Sequence, residues 1–209
     1  MSFAGYPEEA FKFFEAVAAD TSWEVVSRRL DLHARAVRGP TVALCEELAA
    51  EFGPAKVFEL HRSPALWTHQ SAYVSVADTI AYGLSLSLEG LSIEGGWLYS
   101  SSDQVERYRA AVYRDRPGEQ LRAILGGLGE FEVIGDALKT APRGYEPDHP
   151  RIDLLRHRSL VAVRDVGRGP WLHTRGAAER VRERWRDLRP LVEWLSANVG
   201  PRSARQELR

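Results

Sequence analysis

The chain has 209 residues, 44% of them hydrophobic and 27% charged, with a net charge of -1 at pH 7. That balance belongs to an ordinary globular protein: it excludes a disordered chain and supplies no uniform field for nucleic acid or an acidic membrane surface. Residues 1–200 are expected to form a single domain, with 201–209 as a polar tail.

The first predicted helix follows Pro7 and runs from Glu8 to Ala19, with Phe11, Phe14, Val17 and Ala18 at helical spacing and Asp20-Thr21-Ser22 as the break. Further helices are predicted from Trp23 to Val37 and from Pro40 to Phe52, separated by Gly39 and stopped by Gly53-Pro54. The single cysteine, Cys45, sits in an apolar run of the third helix and reads as a buried thiol, so neither an intramolecular disulfide nor a cysteine zinc knuckle is expected. The first residues lack a basic region followed by an apolar run, and no stretch approaches the roughly 18 apolar residues of a membrane span. A cytoplasmic protein with no membrane partner is expected.

From Lys56 the period changes. Val57-Phe58-Glu59-Leu60, Ser71 to Val76 and Ile80 to Leu88 alternate or are rich in strand formers. Tyr82, Leu84, Leu86 and Leu88 share one face, and Glu89-Gly90 turns the chain into Leu91, Ile93, Gly95, Trp97 and Tyr99, which predicts a hairpin in an antiparallel sheet with one covered face. Ser101-Ser102-Asp103 can cap a helix through Val105, Tyr108, Val112 and Tyr113, and another helix covers Gly118 to Leu128. Phe131 to Ile134 and Ser159 to Val163 read as strands, with a turn-rich stretch from Thr140 to Pro150 and a short helix from Ile152 to Arg156 between them. The last helix spans Thr174 to Val199, with Val181, Trp185, Leu188, Val192 and Leu195 as its stripe and Pro190 as a kink or a restart. Helices, then strands, then a mixture argue for an α+β fold: an antiparallel sheet core packed with helices, N-terminal helices and a long C-terminal helix.

Phosphate-loop, dinucleotide, Gly-x-Ser-x-Gly and His-Glu-x-x-His signatures are absent, so no organic cofactor is expected. Apart from Lys12, Lys56 and Lys139 the cations are arginines, spread among acidic neighbours as in the product of a GC-rich genome. On the last helix they alternate with Glu179, Glu183 and Asp187, which favours intrahelical ion pairs over a nucleic-acid stripe. No two of the six histidines share a helical ligand spacing. A folded site from His61, His69 and His149 with Asp148 stays open, but hydrogen-bonded or surface histidines and no metal are expected. The most suggestive segment is the loop carrying Arg143, Tyr145, Asp148 and His149: a cation, a phenol, a carboxylate and an imidazole. The structural alternative is that Asp148 caps the helix starting at Pro150 and Tyr145 plugs the core.

Phe13-Phe14, Lys56-Val57-Phe58, Gly95-Gly96, Leu138-Lys139, Pro142-Arg143-Gly144-Tyr145, Asp148-His149-Pro150, Asp153 to Ser159 and Leu188 to Leu195 occur in an order that resembles the bacterial domain-of-unknown-function family 2461. These are conserved hypothetical proteins of unestablished activity. The family's hallmark, Arg-x-x-Arg-Asp-x-Arg-Phe-x-x-x-Asp/Asn-Lys-x-x-Tyr, should follow Phe58, yet this chain carries Glu59 to His69 there in a shortened form. Arg62 alone corresponds to a charged member, and Ala65, Leu66 and Trp67 stand at the Lys and Tyr positions. The departure makes the region more apolar: a site that persists there is expected to prefer an uncharged or aromatic compound, and if none persists the chain is a degenerate paralogue used for binding.

The expected function is therefore a cofactor-independent small-molecule enzyme or ligand-binding protein in a specialised pathway. His61 or His69 is its proton carrier, Asp148 or His149 the partner, Arg143 the clamp, Arg62 and Tyr145 further ligand contacts, and Trp67 and Trp97 the walls. The competing expectation is a non-catalytic interaction module or homodimer, in which the tryptophans form an interface. A deep cavity supports the first and a flat apolar patch the second.

Overall fold

A computed structural model describes residues 2–59 and 67–203. The fold is α+β, with six antiparallel strands hydrogen-bonded in the order β1-β2-β3-β4-β6-β5: β1 (Lys56–Val57), β2 (His69–Ala77), β3 (Ile80–Ser87), β4 (Gly90–Trp97), β5 (Glu132–Ile134) and β6 (Leu160–Gly167). Two-residue turns join β2 to β3 and β3 to β4, as alternating strands around short polar connections dictate. Asp78 takes the positive φ of the first turn, a conformation that aspartate tolerates better than most side chains. No helix among the described residues is long and apolar enough to cross a membrane.

The chain divides into two compact units. The first comprises Met1–Val74, Gly83–Ile93 and Asp165–Arg184. Its helix α1 (Glu9–Ala19) buries Ala10, Phe11, Phe13, Phe14 and Val17; of the expected stripe Phe11, Phe14 and Val17 face the core and Ala18 is exposed. The N-terminal residues are tied to the segment after β6: the Tyr6 N–H donates to the Leu172 carbonyl at 2.8 Å, and His173 Nδ1, facing the Tyr6 carbonyl at 2.7 Å, is its donor. Thr41 donates its hydroxyl proton to the Val37 carbonyl at 2.8 Å, which makes the buried Tyr6 phenol the donor to Thr41 Oγ at 3.2 Å. Cys45 is buried, and burial pushes its thiol up to about 12.

The region expected as two helices parted at Gly39 is arranged differently. It forms α2 (Trp23–Ser27), α3 (Leu30–His33), a π-helical turn (Ala34–Arg38) and α4 (Gly39–Phe52), with Gly39 itself helical at φ -58°. The break falls earlier, where Ser27 Oγ and Arg29 Nη1 donate to the carbonyls of Glu24 and Val25 and so compete with the backbone for them. The wider π turn accommodates Pro40, which lacks the amide hydrogen that a continuous α-helix uses.

The second unit comprises Ser75–Tyr82, Glu94–Arg164 and Trp185–Arg209. It contains α5 (Ser102–Tyr113), α6 (Asp115–Gly126), α7 (Ile152–Leu155) and the later part of α8 (Gly176–Asn198). Helix α5 opens on a capping box in which Gln104 Oε1 accepts the Ser101 N–H at 3.2 Å. Helix α6 begins three residues before its predicted start, with Pro117 in the first turn, where a missing N–H costs nothing. Helix α8 neither ends nor restarts at Pro190, which is exposed. Burying Trp185, Leu188, Leu191, Val192 and Leu195, at roughly 1.5–3 kcal/mol each, outweighs the cost of about 3 kcal/mol for an internal proline.

Arg151, the residue before α7, is 3% exposed and clamps this unit. Its Nε donates to the Val112 carbonyl at 2.9 Å and its Nη2 to the Tyr113 carbonyl at 2.9 Å and to Asp115 at 2.9 Å, while Nη1 reaches Glu119 at 2.7 Å. The end of α5, the start of α6 and the approach to α7 are thus held by one guanidinium. Gly118 makes room for it, since a Cβ there would lie 2.6 Å from Arg151 Nε and 2.3 Å from the Val112 carbonyl oxygen.

Candidate functional site

A cleft of about 780 Å³ opens in the second unit, lined by Arg107, Ala110, Tyr113, Arg114, Gly144, Tyr145 and Asn198. Arg107, Ala110 and Arg114 share a face of α5 and its C-terminal cap, because residues three, four and seven apart lie above one another on a helix. The opposite contribution comes from the loop that the sequence singles out. Pro142 to Pro150 forms turns, with Gly144 at φ +87° and no neighbouring atom within 4 Å of the place a Cβ would take.

Tyr113 is the central aromatic group, 45% exposed at the end of α5. Its ring stacks on the His149 imidazole with centroids 4.9 Å apart and planes at 24°, and meets the Tyr145 ring edge-on at 5.5 Å and 67°. His149 Nδ1 accepts the Arg151 N–H at 3.1 Å, so in the neutral ring the proton sits on Nε2. The backbone amide of the same residue whose guanidinium holds the unit together thus orients the imidazole under Tyr113. Burial raises the Tyr145 phenol above its ordinary pKa, and the Arg109 guanidinium offsets part of that rise, so the group is a protonated donor at neutral pH.

The cations around the cleft differ in what they are free to do. Arg107 is committed: its Nε donates to the Val199 carbonyl, its Nη1 to Asp103 at 2.9 Å, and its Nη2 to the Pro201 carbonyl. Arg114 and Arg143 are exposed and have no acidic partner among the described residues. Arg109 lies one turn before Tyr113. Its Nε donates to the Leu155 carbonyl at 3.0 Å, while its Nη2 is buried without an acceptor.

Of the residues expected to form a site, Arg143, Tyr145, Asp148 and His149 lie on this loop, and Tyr145 and His149 join one aromatic cluster with Tyr113. Asp148 is exposed, and α7 has no side-chain cap, so the expectation that Asp148 caps this helix is corrected; the helix starts later, at Ile152, behind Arg151. Tyr145 is half-buried rather than a plug in the core. His61 and Arg62 lie outside the described residues. His69 begins β2 in the first unit, with Thr68 Oγ 3.3 Å from its Nδ1. Trp67 is 1% exposed in the first unit, against Trp23 at 5.6 Å. Trp97 is fully buried in the second unit against Tyr108 at 5.4 Å, with its indole N–H lacking an acceptor.

Sequence reasoning did not select Arg107, Arg109, Tyr113, Arg114 or Asn198. The pattern Arg107, Ala110, Arg114 was a usable signal, since two cations around a small residue on one helical face leave a groove between them.

The family model for conserved hypothetical proteins designated domain of unknown function 2461 matches residues 62–194. The chain belongs to this family. The match begins beyond Phe13-Phe14 and Lys56-Val57-Phe58, and it contains every cleft residue named above except Asn198. No curated protein matches the chain. Within family 2461, then, the chemistry of this member has to be read from its own side chains.

Proposed function

We propose that this family 2461 protein binds a small, flat aromatic compound in the cleft of its second unit, with Tyr113 as the stacking surface. The observation that supports this reading is the half-exposed Tyr113 ring, held on one side by His149 and at its edge by Tyr145, at the wall of an open cleft. An aromatic side chain already fixed by its neighbours loses little freedom when a ligand ring docks on it. The expected preference for an aromatic compound is kept, but it now rests on α5 and the loop from Pro142 to Pro150 rather than on the segment from His61 to His69. The cleft also adds cations that the earlier expectation of an uncharged ligand did not include. The Tyr145 phenol, which lines the cleft, is a polar donor for the bound compound, while His149 supports the Tyr113 ring by stacking on it.

The test is a titration with benzyl alcohol and benzoate followed by the ring resonances of Tyr113 and His149. Saturable shifts are expected, with affinity for either probe falling about three- to tenfold in Tyr113→Ala, the range of one aromatic pair. Shifts that never saturate, or that are the same in Tyr113→Ala, overturn the reading.

A further inference from the structure

The end of α8 is joined to α5 in a way that fixes one side chain of the cleft wall. Just beyond Asn198, the Val199 carbonyl accepts Arg107 Nε, the Gly200 carbonyl accepts Gln104 Nε2 at 2.7 Å, and the Pro201 carbonyl accepts Arg107 Nη2. Gln104 and Val199 are buried, so the join is part of the interior. Asn198, the last residue of α8, is thereby held beside the α5 face that carries Arg107, Ala110 and Tyr113, and all four line the cleft.

Hydrogen-bond chemistry sets the orientation of the Asn198 amide. One of its polar atoms lies 2.8 Å from the Trp194 carbonyl, which can only accept, so that atom is Nδ2 and the other is Oδ1. Oδ1 has no donor among the described residues. The other polar side chains lining the cleft supply donors or serve both ways: Arg107 and Arg114 only donate, while the Tyr113 and Tyr145 hydroxyls do both. Asn198 Oδ1 is therefore the one lining side-chain group that can only accept. Arg107 is committed to the α8 end and to Asp103, which leaves Arg114 as the free donor-only group. The arginines are not the sole charge here, because Glu106 acts on the Tyr145 phenol. Charge alone does not select the ligand.

An acceptor-only group and a donor-only group on one cleft call for a substituent that both donates and accepts. A hydroxyl does so. A carboxylate or an ether offers acceptors only and would set a lone pair against Asn198 Oδ1. We infer that Asn198 is a specificity-determining residue of the cleft, its Oδ1 accepting the proton of a ring hydroxyl, so that the ligand is a hydroxylated aromatic compound of the phenol class. This rests on the reading of Tyr113 as the stacking surface and names the substituent that the stacked ring carries. The amide is held by its own helix before a ligand arrives, so the contact costs little ordering.

The test is an NMR titration of phenol, anisole and benzoate into the full chain, Asn198→Leu, Asn198→Asp and Tyr113→Ala, read on the Tyr113 and Tyr145 rings and the Asn198 side-chain amide where each is present. Phenol is expected to bind about three- to tenfold tighter than anisole or benzoate, the range of one hydrogen bond. Asn198→Leu removes that advantage and leaves anisole unchanged, whereas Asn198→Asp, which keeps an acceptor in place, retains it. Equal affinities for phenol and anisole that both fall in Tyr113→Ala overturn the hydroxyl preference while the stacking surface stands. Benzoate as the tightest probe overturns it as well, in favour of an anion drawn by Arg114. A phenol preference that survives Asn198→Leu overturns the assignment to Asn198. A preference that depends on Asn198, with Tyr113→Ala without effect on any probe, supports the hydrogen bond and overturns the stacking surface. If no probe saturates, both readings are wrong. Should Asn198→Leu fail to fold, the full chain decides: at saturation phenol must shift the Asn198 amide resonances more than anisole does, and equal shifts overturn the inference.

Discussion

Arg151 and Arg109 both link α5 to the segment around α7, and they solve the problem of a guanidinium in a protein interior in opposite ways. Arg151 has a partner for every nitrogen: two backbone carbonyls and two carboxylates. Arg109 uses its Nε on one carbonyl and leaves Nη2 buried and empty, with another arginine rather than an acid among its neighbours. A cation whose role is to hold helices together gathers acceptors from them, because every unsatisfied donor subtracts from stability. A cation kept short of acceptors in the same unit contributes less to the fold.

The largest test of that contrast is Arg151→Ala. The carboxylates of Asp115 and Glu119 are 98% and 55% exposed, so the ion pairs are screened and add little. The loss comes from the stranded carbonyls of Val112 and Tyr113 and from the emptied space beside Gly118, and is expected to be about 3 kcal/mol in a urea unfolding curve at neutral pH. A loss under about 1 kcal/mol would mean that the clamp is not what joins α5, α6 and α7. His149 is expected to keep its stacking on Tyr113 in the same variant, since the donor to its Nδ1 is the backbone N–H of residue 151, which alanine retains.

The first unit supplies a third solution, in which the buried group avoids charge altogether. His33 is 4% exposed against Phe13, and burial lowers its pKa to about 4, offset in part by a hydrogen bond with Gln70 and reinforced by the nearby Arg38. The unfolded chain, near the ordinary value of about 6.5, then binds more protons than the folded one between the two values. Stability is therefore lost as pH falls through that window, by roughly 3 kcal/mol in total, and is unaffected by this group above it. Urea midpoints from pH 7 down to pH 4 should show the slope, and His33→Gln should flatten it. The smallest effect is expected at Arg109→Gln, which should change the stability of the protein by about 1 kcal/mol or less. If it instead destabilised as strongly as Arg151→Ala, the two arginines would both be structural and the contrast would be lost.

Much of the fold was legible because its signals are local. The alternation from Ile80 to Trp97 and the cap at Ser101 each carry their reason within a few residues, although the hairpin turn falls at Leu88-Glu89, one residue before the expected Glu89-Gly90. The misplaced break at Gly39 shows the limit of that logic: a glycine and a proline together read as punctuation, but a π turn carries the helix through them. The candidate site was half legible. Its loop is marked by prolines, glycine and four chemically distinct side chains, whereas Tyr113 on its amphipathic helix reads as one more member of the apolar face with Val105, Tyr108 and Val112, yet is 45% exposed.

By itself the sequence determined the α+β class, the hairpins, the long final helix, the buried Cys45 and the membership of family 2461, all consequences of periodicity, turn chemistry or an ordered motif set. Only the tertiary structure decided which polar groups have partners. Whether Arg151 is satisfied and Arg109 is not depends on carbonyls and carboxylates between 32 and 46 residues away along the chain. Hydrogen-bond satisfaction is a property of positions in space, and no local pattern of residues encodes it.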